Sequence, residues 1–592
     1  MRRFLSRFFA TIGLLVTLCI IAGIALLYTS QSKRMTLPRG AVLHLNLGGE
    51  MPEVNTSDVL ERLIGRSAVS LKDVVDSIDA ASKDDRIHAI VARVDTAAMG
   101  VAQAQEIRDA ISRFRKEGRN KGKVAIAYAE TFGEMGPGTL SYYLASSFDE
   151  IWIQPLGSVG LMGLYVEIPF VKKALDDWHI KPQFGKREQY KSAIDTYTES
   201  KFSEANKEAT TALMNTIMNQ IVRDIASERE LTEVEVRQAV DQGPLRGIDA
   251  KKMGLIDQVG YMDELERNLA ERIGVDPEFV EPGRYLSTLP PTAQDLPKIA
   301  LIGGSGAIQR EMQTDVFGNM IMSSEVLKEA FEEALEDSEV KAIVFRINSG
   351  GGSAVASETI SRATVLAQEA GKPVIVSMSN AAASGGYWIA ASADKIVAHP
   401  GTITGSIGVY SGKVSTEAFW DKFGIHWGAV QIGKNADMWS PIKEFTPHGW
   451  QRLQAFLDDI YATFIDKVAK GRSLSVDHVR AIAKGRVWTG EDALRLGLVD
   501  ALGGMRRAVE LAKASVGLQD EEVAIEVYPK PKSFTRRIKE SLYGKGEIKA
   551  TILSSVLQGL LKTSFKETYE KMKPLTHSEG PLSTPHPYQP QG

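Results

Sequence analysis

The sequence predicts an α/β protein: two tandem copies of one unit with mostly parallel sheets, preceded by one N-terminal transmembrane helix. Three observations predict it. A long uncharged run stands near the start of the chain. Beyond it, short apolar runs alternate with amphipathic ones, the pattern of βα units with buried strands. Three segments then recur in the same order and at nearly constant spacing, which marks an internal repeat.

The uncharged run is "FATIGLLVTLCIIAGIALLY", Phe9–Tyr28. As a helix it spans about the 30 Å of a bilayer core. A cleaved signal peptide is the competing reading. Its apolar region is shorter, about 7–15 residues, and ends at a small-x-small site, whereas this run ends "ALLYTSQS". The expectation is an uncleaved anchor over 9–28 behind a short cytoplasmic segment, 1–8. Arg2, Arg3 and Arg7 favour a cytoplasmic N-terminus, against the weaker pull of Lys33 and Arg34. The remainder of the chain then lies across the membrane.

The repeat is read from three pairs. "IHAIVARVD" (Ile87–Asp95) resembles "VKAIVFRIN" (Val340–Asn348). "SYYLASSFDEIWIQPLGSVG" (Ser141–Gly160) resembles "GYWIAASADKIVAHPGTITGSIG" (Gly386–Gly408), and "AKKMGLIDQVG" (Ala250–Gly260) resembles "ALRLGLVDALG" (Ala493–Gly503). These pairs place one copy at 39–284 and the other at 298–529. The linker is 285–297, whose "STLPPTAQDLP" breaks both helix and sheet. In the second copy "KIALIGGSGAI", "AIVFRIN", "PVIVSMSN" and "KIVAHP" read as strands. "SEVLKEAFEEALED", "SETISRATVLAQEAG" and "AASGGYWIAASAD" read as helices. The segment 530–592 differs in composition: its first half could hold amphipathic surface helices, and its Pro-, Ser- and Gly-rich end reads as disordered.

Composition narrows the function. A net charge of −4 with both signs interspersed gives no reason to expect a nucleic-acid partner. The single cysteine, Cys19, excludes an intrachain disulfide and a multi-cysteine metal site. The nine histidines form no H-E-x-x-H pattern, so no metal and no cofactor is expected.

The chemistry is read from "NSGGGS" (Asn348–Ser353) and "AAASGGYW" (Ala381–Trp388). Three glycines after a strand let backbone N–H groups approach a ligand. A serine at a strand-to-helix turn one βα unit later is placed to attack a carbonyl, with Gly385 and one of the loop glycines stabilising the oxyanion. The alternative is that these glycines only make tight turns. A nucleophilic hydroxyl also needs a base. His399 is the nearest histidine downstream and reads as structural or surface.

The first copy lacks the nucleophile and the loop: Thr139 stands opposite Ser384, and "DTAAMGVA" replaces "NSGGGSAV". Conversely, "FGKREQYKSAI" (Phe184–Ile194) aligns with "IGKNADMWSPI" (Ile432–Ile442), so Lys191 stands opposite Trp439. The complementary losses suggest one site assembled from both copies, with Lys191 as a base of lowered pKa. A solvated surface lysine is the alternative, and Lys434 or His399 would then be the other candidate bases.

"NSGGGS", "AAASGGYW", "TGSIGVYSG" and "YKSAID" together resemble the signal peptide peptidase A family, long protease IV type. The resemblance runs from the anchor to the end of the second copy. It implies a crotonase/ClpP-like fold and a membrane-anchored bacterial serine endopeptidase with a Ser/Lys dyad. Carried over by motif, Ser384 is the nucleophile, Lys191 the general base and Ser406 the residue that orients its amine. Gly385 with Gly351 or Gly352 supplies the oxyanion hole. It also implies peptide substrates (cleaved signal peptides), a homotetramer, and catalytic domains in the periplasm on an inner-membrane anchor. A crotonase-like acyl-CoA enzyme and an inactive peptide-binding scaffold are the competing functions. One departure is Gly350, where the family commonly has proline; glycine loosens the loop.

Overall fold

The computed structural model describes residues 36–49, 51–54, 69–95, 98–134, 136–291, 293, 295–311 and 321–530. The expected anchor at 9–28 and the tail from 531 lie outside them. Among the described residues, no helix is long and apolar enough to cross a membrane.

Two sheets organise the described chain. The first has the strand order Gln258–Val259, Glu150–Ile153, Val124–Ala129, Ile87–Arg93, Ala41–Asn46, Glu278–Val280, with every neighbouring pair parallel. The second repeats that order with Ala501–Leu502, Lys395–Ala398, Val374–Ala383, Val340–Ser349, Lys298–Ser305 and Ala524–Tyr528, again parallel. It adds Ile403–Gly405 beside the end of Val374–Ala383, and Val487–Thr489 antiparallel to that.

The strands read as unbroken apolar runs because both faces are covered. On Val340–Ser349, Ile343, Phe345 and Ile347 enter one core, while Ala342 and Val344 enter the core on the other face. The helix Ser324–Glu336 buries Leu327, Ala330, Phe331 and Ala334, one stripe at helical spacing. The helix Ala354–Glu369 starts on Ser353, the last residue of the glycine motif, whose hydroxyl accepts the Ala356 N–H.

One element departs from the sequence reading. Ala382 and Ala383 continue the strand rather than beginning a helix, and the helix starts at Gly385. The cause is tertiary: Ile403–Gly405 pairs with Ala381–Ala383 and holds these small residues extended. Ser384 therefore stands at the junction itself.

The two copies are fastened to each other. Lys181–Lys186 of the first runs antiparallel to Tyr410–Ser415 of the second, with Lys186 opposite Tyr410 and Lys181 opposite Ser415. Arg346 of the second copy is fully buried against Glu53 and Glu106 of the first. The Gly401 N–H donates to Gln105 across the same boundary.

Candidate active site

Ser384 has φ 54° and ψ −117°. A non-glycine residue held there stores on the order of 1–3 kcal/mol, a strain that clusters at functional sites. The turn is pinned on both sides: the Ser384 N–H donates to the Gly405 carbonyl (2.9 Å), and the Ser384 carbonyl accepts from the Trp388 N–H (2.8 Å). The side chain is thus aimed by backbone that cannot relax without breaking the ladder.

Lys191 arrives from the other copy, on the loop that follows Lys181–Lys186. Its Nζ lies 3.0 Å from Ser384 Oγ, 2.9 Å from the Ser406 carbonyl oxygen and 3.0 Å from Ser406 Oγ. The residue is 4% exposed. Burial, which disfavours the charged form, pushes its amine down to about 7. A neutral amine has two N–H donors and one lone pair. All three oxygens lie within reach of the Lys191 Nζ–H donors, and in the neutral form the set allows two N–H groups to stay on Ser406 while the lone pair accepts the Ser384 O–H. Ser406 Oγ in turn donates to the Gly485 carbonyl (3.4 Å), and the Ser406 N–H donates to the Arg486 carbonyl (2.7 Å).

Gly485 and Arg486 escaped the sequence reading, because "KGRVW" reads as an ordinary turn. They form the socket for the lysine. The Tyr190 N–H donates to the Lys484 carbonyl (3.1 Å). Gly485 has φ 77°, and a Cβ there would stand 2.6 Å from the Lys191 backbone nitrogen. The Arg486 guanidinium lies over the rings of Tyr190 (5.1 Å) and Trp488 (4.5 Å), clamping the residue before the lysine.

The glycine loop packs directly on the serine turn. A Cβ on Gly351 would meet the Gly385 nitrogen and Ser384 Cβ, each at 2.8 Å, so this approach needs glycine. The two loop candidates then separate. The Gly351 N–H donates to Ser349 Oγ (3.1 Å) and its carbonyl accepts from the Ile308 N–H (3.0 Å). The N–H groups of Gly352 and Gly385 have no partner among the described residues. Gly351 is therefore occupied by loop closure, and Gly352 keeps a free donor. At Gly350 the backbone is outside the left-handed region, and an added Cβ would meet nothing within 4 Å.

The other candidates sit elsewhere. His399 is buried, with its ring nitrogens facing Glu106 (3.7 Å) and Asp109 (3.8 Å) of the first copy. Lys434 and Trp439 are exposed. Thr139 is buried with its hydroxyl in use: Oγ1 donates to the Gly163 carbonyl (2.8 Å) and accepts from the Met162 N–H (3.2 Å).

The chain matches the model of peptidase family S49 twice, over residues 117–276 and 366–519. It is 31% identical over 503 residues to the chloroplastic serine protease SPPA of Arabidopsis thaliana, covering 83% of this chain and 71% of that one. It is 31% identical over 527 residues to Protease 4 of Haemophilus influenzae, covering 84% and 83%. It is 33% identical over 459 residues to Protease 4 of Salmonella typhi, covering 75% and 72%.

Proposed function

We propose that in this chain, which belongs to peptidase family S49 and is a serine peptidase, Ser384 is the nucleophile and Lys191, from the other copy, the general base. The observation that carries this is the buried Lys191 amine, pushed down to about 7 and lying 3.0 Å from Ser384 Oγ. Ser406 fixes the amine's two N–H groups and leaves its lone pair for the serine. The family assignment sets aside the acyl-CoA reading.

In acylation Ser384 Oγ attacks the peptide carbonyl carbon and its proton passes to Lys191. The carbonyl oxygen becomes an oxyanion between the N–H groups of Gly352 and Gly385. Collapse breaks the C–N bond, and Lys191 returns the proton to the leaving amine. Water then attacks the acyl carbon with Lys191 again as base; the acyl–Oγ bond breaks and Lys191 returns the proton to Ser384 Oγ.

The substrates we propose are cleaved signal peptides and other apolar unfolded peptides. The uncharged run at 9–28 supports a membrane anchor, which would hold the catalytic copies at the periplasmic face of a bacterial inner membrane. A homotetramer is part of the same reading, and the repeat supports it. The counterparts of the paired strands Tyr410–Ser415 and Lys181–Lys186 are residues 162–167 and 429–434, and neither run is a strand. Both are apolar and open: Tyr165 is 80% exposed and Val430 98%. A second copy would pair them as the two halves pair within one chain. Introducing Val430→Asp with Ile432→Asp should dissociate the assembly in analytical ultracentrifugation.

The function is tested with Ser384→Ala and Lys191→Ala against an unfolded apolar peptide, with folding checked by circular dichroism. Each variant should lose at least about 10³-fold in kcat, on the scale of losing a nucleophile or its base. A folded Lys191→Ala that cuts like the parent refutes the divided site.

A further inference from the structure

We propose that Glu53 of the first copy is a positioning residue for the oxyanion hole of the second. The inference rests on the assignment of Gly352 and Gly385 as that hole.

Glu53 is a buried carboxylate from the segment 51–54, reaching across the boundary between copies. Its Oε1 accepts from Asn348 Nδ2 (2.9 Å), Ser379 Oγ (2.5 Å) and Gln103 Nε2 (2.7 Å). Its Oε2 accepts from Arg346 Nε (2.9 Å). Three of these four donors lie on the two strands whose ends form the site. Arg346 and Asn348 belong to Val340–Ser349, which runs into the glycine loop. Ser379 belongs to Val374–Ala383, which runs into Ser384.

The position along these strands is what makes the tie informative. Their ladder is regular as far as Ile347 opposite Met378, then shifts before Ser349 meets Ala382. Backbone pairing therefore lapses at the level of Asn348 and Ser379, just ahead of the two donors whose separation matters. Glu53 bonds both strands at that lapse. An ionised carboxylate only accepts, so it holds the NH₂ end of the Asn348 amide toward itself. The Asn348 carbonyl oxygen is thereby turned to the Ala381 N–H, at 3.2 Å. That second bond spans the same two strands. The first copy would then supply two groups to the reaction in the second: the base directly, and the spacing of the hole at one remove.

The test uses the full chain, its Ser384→Ala control, and Glu53→Gln, Asn348→Ala and the double variant. A misplacement of the hole by an ångström lowers the rate by about 10²-fold, so Glu53→Gln should lose about 10- to 100-fold in kcat. KM should stay within about twofold. A peptide aldehyde, whose hemiacetal oxygen would occupy the hole, should lose affinity by the same factor as kcat. The acid limb of kcat/KM near 7, set by Lys191, should not move. The double variant should be no worse than about twofold below the weaker single one, since both act through one bond.

A folded Glu53→Gln with the parent's kcat and aldehyde affinity overturns the inference, as does a loss confined to KM or a fully additive double variant. If Glu53→Gln does not fold, Asn348→Ala decides alone, because it leaves the Glu53–Arg346 pair intact: parental values there overturn the inference too. Activity surviving in Ser384→Ala instead removes the nucleophile assignment and this inference with it. A dead Ser384→Ala beside a parental Glu53→Gln removes this inference only.

Discussion

The two copies keep six strands in one order and differ where those strands end. After Val124–Ala129, the first copy presents Thr139, buried with its hydroxyl bonded to backbone on both sides. After Val374–Ala383, the second presents Ser384 on a strained turn, with Oγ facing a buried amine. Further along the unit the asymmetry reverses. The first copy sends Lys191 into its neighbour, while the second leaves Trp439 in the corresponding place, exposed. On the proposed assignment, each copy carries half of a site. Neither half then needs the strained turn, or the buried amine, of the other.

The largest effect should come from closing the socket through which one copy enters the other. Gly485→Ala would drive a Cβ into the Lys191 backbone at a φ of 77°. Peptide hydrolysis should fall by about 100-fold or more, on the scale of a misplaced catalytic group. Gly122→Ala in the first copy has a similar φ but open space around it. It should weaken the fold by about 1 kcal/mol in chemical denaturation and leave kcat unchanged.

The base can be examined through pH. With Lys191 as the proposed base, only its neutral form accepts the serine proton, so kcat/KM should fall about tenfold per pH unit below about 7. The same displacement has a cost in stability. An unfolded lysine keeps its proton up to about 10.4, and the folded one only up to about 7. The unfolded state binds more protons between those values, so stability should rise with pH across that window. Lys191→Met lacks the group and should not show this rise. It should be more stable than the parent by on the order of several kcal/mol at pH 6, and the gap should close toward pH 10. Urea denaturation at several pH values reads both.

Thr139→Ala removes two hydrogen bonds from the first copy. It should lower stability by about 1–2 kcal/mol in urea denaturation while kcat holds, the inverse of the result at Ser384. The smallest effect is expected at Gly350→Pro. Its surroundings are open and its backbone avoids the left-handed region. Activity should stay within about twofold of the parent or rise; a large drop would show that the loop needs a conformation proline lacks.

The strands of the second copy were legible because both of their faces are buried and β-branched residues fill them. The pairing of Lys191 with Ser384 across the copies was suggested by the repeat, which carries its own alignment: Lys191 against Trp439 and Ser384 against Thr139 are visible without coordinates. What stayed hidden depends on contacts distant in sequence. Ala382 and Ala383 read as helix because small residues carry little pattern, and only pairing with Ile403–Gly405 extends them. The choice between Gly351 and Gly352 turns on the direction of one N–H, set by Ser349. Gly485 and Glu53 act on residues hundreds of positions away, and nothing in their neighbourhoods marks them.

The order of strands along the chain sets when the site can exist. During synthesis Lys191 leaves the ribosome well before Ser384, and the sheet that holds the serine gains its edge strand, Ala524–Tyr528, only near the last described residue. On the proposed assignment, a nascent chain carries a base with no nucleophile and then a nucleophile in an unfinished sheet. Cutting power is thus acquired only after the strands of both copies have been made.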